Sequence, residues 1–266
     1  EIGHQTIGAG RLIKSREVLT DEYLDNLYLN EDENIQKLKG LTSKTIHLMG
    51  LASDGNVHAG IDDFIKMYEY LIKIGFTKIF FHLITDGRDT DSKAAYNYIS
   101  LIEKNIQKNK VGCIASICGR YYAMDRDKNY DRTKVYYDLV TKGRGIEILN
   151  IENALKSSYD KGITDEFLRP MMINREGTIK DGDVLIWMNY RSDRSKQILL
   201  ALTNPKFTEF DVTLMPNLEV FTFFNHDKFI KANVLINEPD INNSLGIYLS
   251  KLGMTQARIA ESEKYP

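Results

Sequence analysis

Short apolar segments alternate along the chain with longer segments whose apolar residues recur every three or four positions. The first pair is the apolar run TIHLMGLA at residues 45–52 and the segment 61–74, which Gly75 follows. A short continuous apolar run is typical of a buried strand, whereas a spacing of three and four is typical of an amphipathic helix. A glycine after the last periodic residue is a helix stop signal. The pattern therefore predicts a strand and then a helix.

The same alternation repeats through most of the chain. Further strands are predicted over 78–85, 111–118, 184–190 and 218–224, and further helices over 94–106, 132–141 and 195–202. This strand–helix rhythm is typical of an α/β domain with a mainly parallel sheet flanked by helices.

The ends of the chain depart from this rhythm. Residues 1–11 are rich in glycine and predict a connector, whereas 242–252 carry a helix pattern and 256–261 predict the start of a further strand. Residues 27–39 are acidic and polar, which indicates a surface helix. We therefore expect a connector at 1–11, one α/β domain at 12–240, and at 241–266 the start of a segment from a neighbouring domain.

Composition narrows the class of protein. The chain has 266 residues, a formal net charge of -2, 27% charged and 42% hydrophobic residues, ordinary values for a globular protein with a sizeable core. The near-neutral balance gives no reason to expect nucleic acid or an anionic membrane as partner. No apolar stretch approaches the roughly 20 residues of a membrane span, and no signal peptide opens the chain.

The two cysteines indicate a reducing compartment. Cys113 and Cys118 lie five residues apart on one predicted strand, too far for the Cα separation of about 7 Å or less that a disulfide needs. We expect both to be buried free thiols and the protein to be cytoplasmic.

Charged phrases rich in Arg and Asp follow four predicted strands at their C-terminal ends. They are SDGNVH at 53–58, DGRD at 86–89, GRYYAMDRD at 119–127 and RSDR at 191–194. In a parallel sheet these ends lie at one edge, where ligands bind. Five arginines are therefore expected to converge on one cavity: Arg88, Arg120, Arg126, Arg191 and Arg194.

Arginine suits the binding of a small anion, because its planar fork donates two parallel hydrogen bonds to carboxylate or phosphate and stays charged. Five such groups repel each other unless an anion or neighbouring carboxylates compensate them. Five aspartates are placed to do part of this: Asp86, Asp89, Asp125, Asp127 and Asp193. We therefore predict a small ligand that carries a phosphate and a carboxylate. The alternative is a set of surface salt bridges within loops.

The histidines give weaker signals. Asp54 and His58 are four apart, a spacing that can serve a metal, but no third ligand is nearby, so His58 is better interpreted as a hydrogen-bonding contact to substrate. His47 and His82 lie within predicted strands and are expected to be core residues with satisfied hydrogen bonds. His226 lies in a predicted turn and is expected to be solvated.

Several phrases, in order along the chain, resemble the cofactor-independent (2,3-bisphosphoglycerate-independent) phosphoglycerate mutases. They are EIGH and IGAGR within 1–11, residues 51–58, 86–90, 119–127 and 189–194, and ESEKYP at 261–266. GRYYAMDRD, followed by YDR at 130–132, is very specific, whereas DGRDT alone is moderately so. The resemblance covers nearly the whole chain but about half of such an enzyme.

The resemblance implies a function. Such enzymes interconvert 3-phosphoglycerate and 2-phosphoglycerate in glycolysis and gluconeogenesis. An alkaline-phosphatase-like domain has two divalent metals, manganese or alternatively magnesium, and a transiently phosphorylated serine. An inserted phosphotransferase domain, here 12–240, holds the glycerate. Carried over by motif, Asp89 moves protons, and the substrate contacts are His58, Arg88, Asp89, Arg120, Arg126, Arg191, Arg194 and Lys264.

The resemblance also implies what this chain lacks. The nucleophilic serine of the family precedes the phrase that begins here at Glu1, and its metal ligands lie before that serine and after Lys264. Residues 1–11 and 241–266 would then be stubs of the phosphatase-like domain. We expect the metals to bind outside this chain, the chain alone to be inactive, and the parent enzyme to be monomeric. Two alternatives stay open: an isolated anion-binding domain, and a related phosphomutase acting on another phosphorylated substrate.

Overall fold

The computed structural model describes residues 2–238 and 241–259, and its centre is one sheet of eight strands. The strands are β1 (Ile46–Leu51), β2 (Ile79–Thr85), β3 (Cys113–Gly119), β4 (Ile146–Glu147), β5 (Met171–Met172), β6 (Val184–Trp187), β7 (Glu219–Thr222) and β8 (Asn233–Val234). Their order is β4-β5-β3-β2-β1-β6-β7-β8. Only β3 and β5 pair antiparallel, so the predicted mainly parallel sheet is confirmed.

Helices cover both faces of this sheet. Among the described residues the helices are α1 (Ile2–Ala9), α2 (Arg16–Asp25), α3 (Glu33–Lys39), α4 (Ile61–Ile74), α5 (Ala95–Asn109), α6 (Arg120–Ala123), α7 (Tyr130–Lys142), α8 (Ile151–Asp160), α9 (Lys196–Thr203) and α10 (Leu245–Lys251). Of these, α1 and α10 contact each other, and α10 has no buried residue. Successive side chains of a strand point to opposite faces. Ile46 and Leu48 of β1 accordingly join the core cluster that contains α4 and α5 residues, whereas Met49 and Leu51 join the cluster that contains α7 and α9 residues.

The direction in which the chain adds strands reverses beside β1. The chain proceeds from β1 to β2 and β3 on one side, and later continues through β6, β7 and β8 on the other side. In an open α/β sheet, such a reversal opens a crevice beyond the carboxyl ends of the two central strands. The loops that follow β1 and β6 therefore border this crevice directly. The loops that follow β2 and β3 lie one and two strands farther along the same edge of the sheet.

The helix α4 shows how local sequence produces the predicted element. Gly75 follows its last residue with φ of 111°, a left-handed conformation that glycine adopts without a Cβ penalty, and its amide donates to the carbonyls of Leu71 and Ile72. Phe64 and Met67, three residues apart, are fully buried against the sheet. Truncating such a side chain to alanine costs about 3 kcal/mol or more.

Several elements differ from expectation. Residues 1–11, expected to be a connector, contain the helix α1, which runs through two glycines. Residues 27–39 form a short 3₁₀ turn and then α3, whose Ile35 and Leu38 are fully buried, so the surface helix is wrong in part. Residues 256–259 are not a strand, and 260–261 lie outside the described residues.

Several elements were not predicted. The strands β4, β5 and β8 have two residues each, too few for a periodic pattern. The helix α2 has a weak apolar stripe, and its start is marked instead by Ser15, whose side chain accepts from the amide of Val18. The helix α8 has a clear apolar stripe with Ile151 and Leu155 buried, and Asn150 caps its start by accepting from the amide of Asn153.

Buried histidines form a hydrogen-bonded row across the sheet. His47 Nδ1 lies 3.0 Å from His82 Nε2, His82 Nδ1 lies 2.7 Å from Ser116 Oγ, and His47 Nε2 lies 3.2 Å from Asp183 Oδ2. Burial lowers the pKa of both imidazoles, so both are neutral at pH 7. The prediction that these are satisfied core residues is confirmed.

Cys118 is a buried free thiol, as predicted, whereas Cys113 is free but only half-buried. Burial raises the pKa of the Cys118 thiol, which makes it inert as a nucleophile near neutral pH. Within the described residues, no helix combines the length and the apolar character that crossing a membrane requires.

Candidate functional site

The centre of the candidate site is a buried carboxylate after β2. Asp86 Oδ1 accepts hydrogen bonds from the amides of Arg88 and Asp89 at 3.1 and 3.0 Å, which forms the tight turn of the DGRD phrase. Asp86 Oδ2 accepts from Ser53 Oγ at 2.7 Å, and Arg120 Nη1 donates to Asp86 Oδ1 at 2.7 Å. Residues after β1, β2 and β3 thus meet at one carboxylate.

Arg120 extends this centre towards the crevice. Its Nη1 also donates to Asp89 Oδ2 at 2.5 Å, and the Arg120 side chain is buried whereas that of Asp89 is partly exposed. His58 Nε2 lies 4.0 Å from Asp89 Oδ2. Asp89, the residue predicted to move protons, therefore lies between a buried arginine and a buried histidine at the edge of solvent.

The RSDR phrase after β6 supplies a second carboxylate. Asp193 Oδ2 accepts from Arg126 Nη1 at 2.8 Å, and Asp193 Oδ1 lies 2.9 Å from Arg191 Nε. Asp193 Oδ1 is also 3.9 Å from His58 Nδ1, beyond hydrogen-bonding distance. His58 Nδ1 is buried and has no hydrogen-bond partner among the described residues. His58 therefore lies between the Asp89 group and the Asp193 group with unused hydrogen-bonding capacity.

Two further arginines complete the predicted set. Arg194 Nη1 donates to the carbonyl of Met124 at 3.0 Å, and Arg88 Nη1 lies 3.4 Å from Glu166 Oε1 with half of its side chain exposed. Burial lowers the pKa of Arg194, and so do the charges of three other arginines: Arg120, Arg126 and Arg88. The arginines are therefore close enough to repel each other.

The pKa shifts indicate a site with excess positive charge. Burial, and then the charge of Arg120, lower the pKa of His58 to about 4, so the imidazole is neutral at pH 7. Burial alone would raise the pKa of Asp193, but Arg191, His58 and Arg126 lower it below its usual value. Asp86 behaves likewise, since the Asp89 amide, Ser53 and Arg120 outweigh its burial. Neutral imidazole and ionised carboxylates leave the arginines as the unbalanced charges.

Glycines allow the loops of the site to approach each other closely. Gly87 has φ of 67°, and a Cβ built on it would lie 2.7 Å from the amide nitrogen of Glu166. Any side chain at this position would push the DGRD turn away from the 165–167 segment that supplies the partner of Arg88.

The residues predicted for the site from the strand ends can be located in the structure. The structure brings together His58, Asp89 and the five arginines, whereas Lys264 lies outside the described residues. Asp125, expected to offset the arginines, instead organises its own loop by accepting from the amides of Asp127 and Asn129. Ser53 and Glu166 had no such expected role, because their contacts join residues distant in sequence.

Two of the histidine interpretations can be compared with the structure. Asp54 Oδ1 accepts from Tyr98 at 2.6 Å. Among the described residues, no three His, Cys, Asp or Glu side chains are arranged to bind a metal. His226 is only 4% exposed, so the expectation of a solvated side chain is wrong. Its ring lies against the loop after β6, a contact between segments that the turn sequence does not predict.

Comparison with known families gives a match over most of the chain. Residues 16–228 match the family model described as BPG-independent PGAM N-terminus. The chain is 38% identical over 270 residues to the 2,3-bisphosphoglycerate-independent phosphoglycerate mutase of Bacteroides thetaiotaomicron, with 100% of this chain and 53% of the relative covered. It is 39% identical over 274 residues to the enzyme of that name from Prochlorococcus marinus strain MIT 9303, with 100% and 50% covered.

A solved structure agrees with these matches. The crystal structure of Leishmania mexicana phosphoglycerate mutase at low cobalt concentration superposes with a TM-score of 0.85 at 26% identity, covering 94% of this chain and 49% of that one. The chain thus spans about half the length of the curated relatives it matches.

Proposed function

The chain belongs to the BPG-independent phosphoglycerate mutase family, whose N-terminal region it matches, and we propose that it holds the glycerate during the interconversion of 3-phosphoglycerate and 2-phosphoglycerate. The observation that supports this proposal is the crowding of arginines: Arg126 and Arg191 both contact Asp193, and burial and then the charges of Arg120, Arg126 and Arg88 lower the pKa of Arg194. A bound anion with several negative charges would relieve that repulsion.

The chemistry of the site suggests separate roles. Arg120, fixed by two carboxylates, would orient the carboxylate or phosphate of the substrate by charge-assisted hydrogen bonds. Asp89, which accepts a hydrogen bond from Arg120, would accept a proton from one glycerate hydroxyl and return it to the other. His58 would contact the substrate through the ring nitrogen that has no partner in the structure. Arg191, Arg194 and Lys264 would contact the phosphoryl group and offset its charge.

The described residues do not fit a metal centre, because they contain no suitable group of three ligands. We propose that the two divalent metals of the family, manganese or magnesium, and the serine that carries the phosphoryl group belong to a part of the longer protein outside this chain. This chain alone would then bind the substrate without converting it. Residues 12–240 would be the phosphotransferase domain, with 1–11 and 241–266 from the phosphatase-like domain. We further propose a monomeric cytoplasmic enzyme of glycolysis and gluconeogenesis, with no nucleic-acid or membrane partner.

Calorimetric titration of this chain with 3-phosphoglycerate tests the proposal. We expect weak binding that falls by about 100-fold or more when Arg120→Ala and Arg191→Ala are combined, because two charge-assisted contacts are lost. Arg175→Ala is the matched control, since Arg175 pairs with Glu147 at an exposed site on the edge of the sheet and should leave binding unchanged.

Binding that survives the double substitution would contradict the assignment of the pocket. A preference for glucose 6-phosphate over 3-phosphoglycerate would favour a different phosphomutase. Turnover of 3-phosphoglycerate by the pure chain with manganese would contradict the proposal that the chain alone does not transfer the phosphoryl group.

A further inference from the structure

We propose that Arg16 is a positioning residue for the candidate site, which it does not itself touch: it fixes the loop 190–194, the segment that carries Arg191, Asp193 and Arg194. This inference rests on the proposed function, because it assigns a role within the same anion site. Arg16 is the first residue of α2, and it is 174 residues away from the loop in sequence.

The contacts of Arg16 use its whole guanidinium group. Nη1 donates to the carbonyl of Tyr190 at 3.1 Å and to Ser192 Oγ at 2.5 Å. Nε and Nη2 donate to the two carboxylate oxygens of Glu238, both at 2.7 Å. The guanidinium carbon lies 4.9 Å from the centre of the Phe224 ring. One side chain therefore joins the start of the domain, its end, and the loop after β6.

The side chains of the loop divide between two environments. Arg191 and Asp193 contact each other, and Asp193 also contacts Arg126 of the site. The intervening Ser192 instead contacts Arg16 and lies 3.2 Å from His226 Nδ1. Ser192 is thus the residue through which the structure can hold the loop from the side away from the site.

The hydrogen bonds on that side have a consistent direction. Arg16 can only donate, so Ser192 Oγ accepts from it and keeps its own proton for another acceptor. Burial, and then the charge of Arg16, keep His226 neutral, so its Nδ1 can accept that proton. The row Arg16–Ser192–His226 therefore determines the orientation of the Ser192 side chain and, through it, the backbone of the loop.

A fixed loop matters because the charges it carries repel their neighbours. Arg191 and Arg194 lie among other arginines, and in the absence of an anion this repulsion favours movement of the loop away from the crevice. Backbone contacts hold the loop in part: Ser195 Oγ donates to the carbonyl of Arg191 at 2.7 Å, and the Tyr190 amide donates to the carbonyl of His58 at 2.8 Å. Arg16 adds the contacts to the Tyr190 carbonyl and to the Ser192 side chain. A displacement of about 1 Å in such a group can cost up to about 100-fold in function.

The test compares Arg16→Gln with Lys14→Gln in this chain. Lys14 lies just before α2 and forms an exposed ion pair with Glu22 of that helix at 2.7 Å. Its described contacts do not include the loop 190–194. We expect Arg16→Gln to weaken binding of 3-phosphoglycerate about tenfold by calorimetry, and Lys14→Gln to change it less than about twofold. Arg16→Lys keeps the charge but loses the fork, so it should rescue binding only in part.

Hydrogen exchange without ligand provides the second measurement. The amides of Tyr190 and Ser195, which donate to the carbonyls of His58 and Ser192, should exchange about tenfold faster in Arg16→Gln than in the unsubstituted chain, whereas those of β1 and β2 should keep their protection. Ser192→Ala, which removes only the central contact, should give a smaller change in the same amides. Unchanged exchange at Tyr190 and Ser195 together with unchanged affinity would overturn the proposal, as would a uniform increase over the whole sheet.

The two measurements separate this inference from the proposed function. If the unsubstituted chain binds neither 3-phosphoglycerate nor inorganic phosphate, the proposed function fails for this chain. The exchange rates at Tyr190 and Ser195 still decide whether Arg16 positions the loop, because they need no ligand.

Discussion

The buried histidines of this protein lie in two contrasting environments. His47 and His82, in the middle of β1 and β2, have hydrogen-bond partners at every ring nitrogen, from Asp183 at one end to Ser116 at the other. His58, beyond the end of β1, is almost as well buried, yet one of its nitrogens has no partner among the described residues. Carboxylates approach His58 only to 3.9 and 4.0 Å.

This difference distinguishes the histidines that stabilise the fold from the histidine that is available to a ligand. An unpaired polar group in a dry interior costs about 1–3 kcal/mol, so a protein core tolerates histidine only when its hydrogen bonds are satisfied. A histidine that is buried without full satisfaction, among several arginines, gains most of its partners only when a ligand arrives. The same residue type with the same direction of pKa shift thus stabilises the fold in one place and leaves room for an anion in the other.

Acidification should produce the largest effect. The folded-state pKa is lowered for His47, His82, His58 and His226, so the unfolded chain binds more protons than the folded one below pH 6.5, and stability falls as pH falls through that range. Each histidine contributes about 1.4 kcal/mol per pH unit. Asp63 has the opposite effect on stability and offsets about one histidine, because burial and then Asp21 raise its pKa to about 7.

Urea denaturation at pH 7.0, 6.0 and 5.0 checks this prediction. The free energy of unfolding should fall from pH 7 to pH 5, with a slope that steepens below pH 6.5, where the histidines of the unfolded chain become fully protonated. In His58→Gln the difference in bound protons between the unfolded and folded chain should be smaller by about one. This variant therefore separates the contribution of His58 from that of His47 and His82. A free energy of unfolding that stays constant from pH 7 to 5 would contradict the assignment of neutral buried imidazoles.

Substituting one histidine from each environment gives the next largest effect. His82→Leu leaves His47 Nδ1 and Ser116 Oγ unpaired in the core and should lower the free energy of unfolding by about 3 kcal/mol. His58→Leu removes a group that lacks full partners, so we expect a loss below about 1 kcal/mol at pH 7, but a substantially weaker affinity for 3-phosphoglycerate.

Both quantities are measured on both variants, by denaturation and by calorimetry. The comparison fails if His58→Leu is the more destabilising substitution. It also fails if a folded His82→Leu variant loses as much affinity as His58→Leu does.

Two serines provide a matched pair with a smaller effect. Ser116 Oγ contacts His82, and Ser53 Oγ donates to Asp86 Oδ2, both at 2.7 Å and both fully buried. Each serine-to-alanine substitution should cost about 1–2 kcal/mol near neutral pH. The pKa of Asp86 is lowered in the folded state, so the contribution of Ser53 is present above the unfolded pKa of about 4 and is lost as pH falls further.

Denaturation of Ser53→Ala at pH 7 and pH 3.5 measures that loss. The difference between Ser53→Ala and the unsubstituted chain should shrink at the lower pH. A difference that is equal at both pH values would mean that Asp86 does not depend on Ser53 for its charge.

Proton uptake on binding should be the smallest effect. An anion beside His58 should raise the pKa of this imidazole from about 4 towards its ordinary value, so the complex takes up a fraction of a proton at pH 5.5. Calorimetry of 3-phosphoglycerate in buffers of different ionisation enthalpy measures this fraction. NMR titration should show the shift at His58 and none at His47 or His82. A ligand-dependent shift at His47 instead would reverse the roles of the two environments.

Much of the fold followed from periodicity, because the central strands are long enough to carry it. β2 was predicted over 78–85 and lies at Ile79–Thr85. β6 was predicted to run to 190 but ends as a strand at Trp187. Beyond Trp187 the chain no longer pairs with β7, and the Tyr190 amide donates to the His58 carbonyl. The elements that were missed are short or are fixed by long-range contacts.

The sequence by itself determined the alternation of strands and helices, the mainly parallel sheet, and the strand ends that carry arginine and aspartate. These follow from local spacing, because buried strands and amphipathic helices have different periods. The tertiary structure decided which partners meet: Glu166 beside Arg88, a buried rather than solvated His226, and Arg16 behind the loop that carries Arg191. Such contacts join residues 34 to 176 positions apart, a distance over which sequence spacing contains no geometric information.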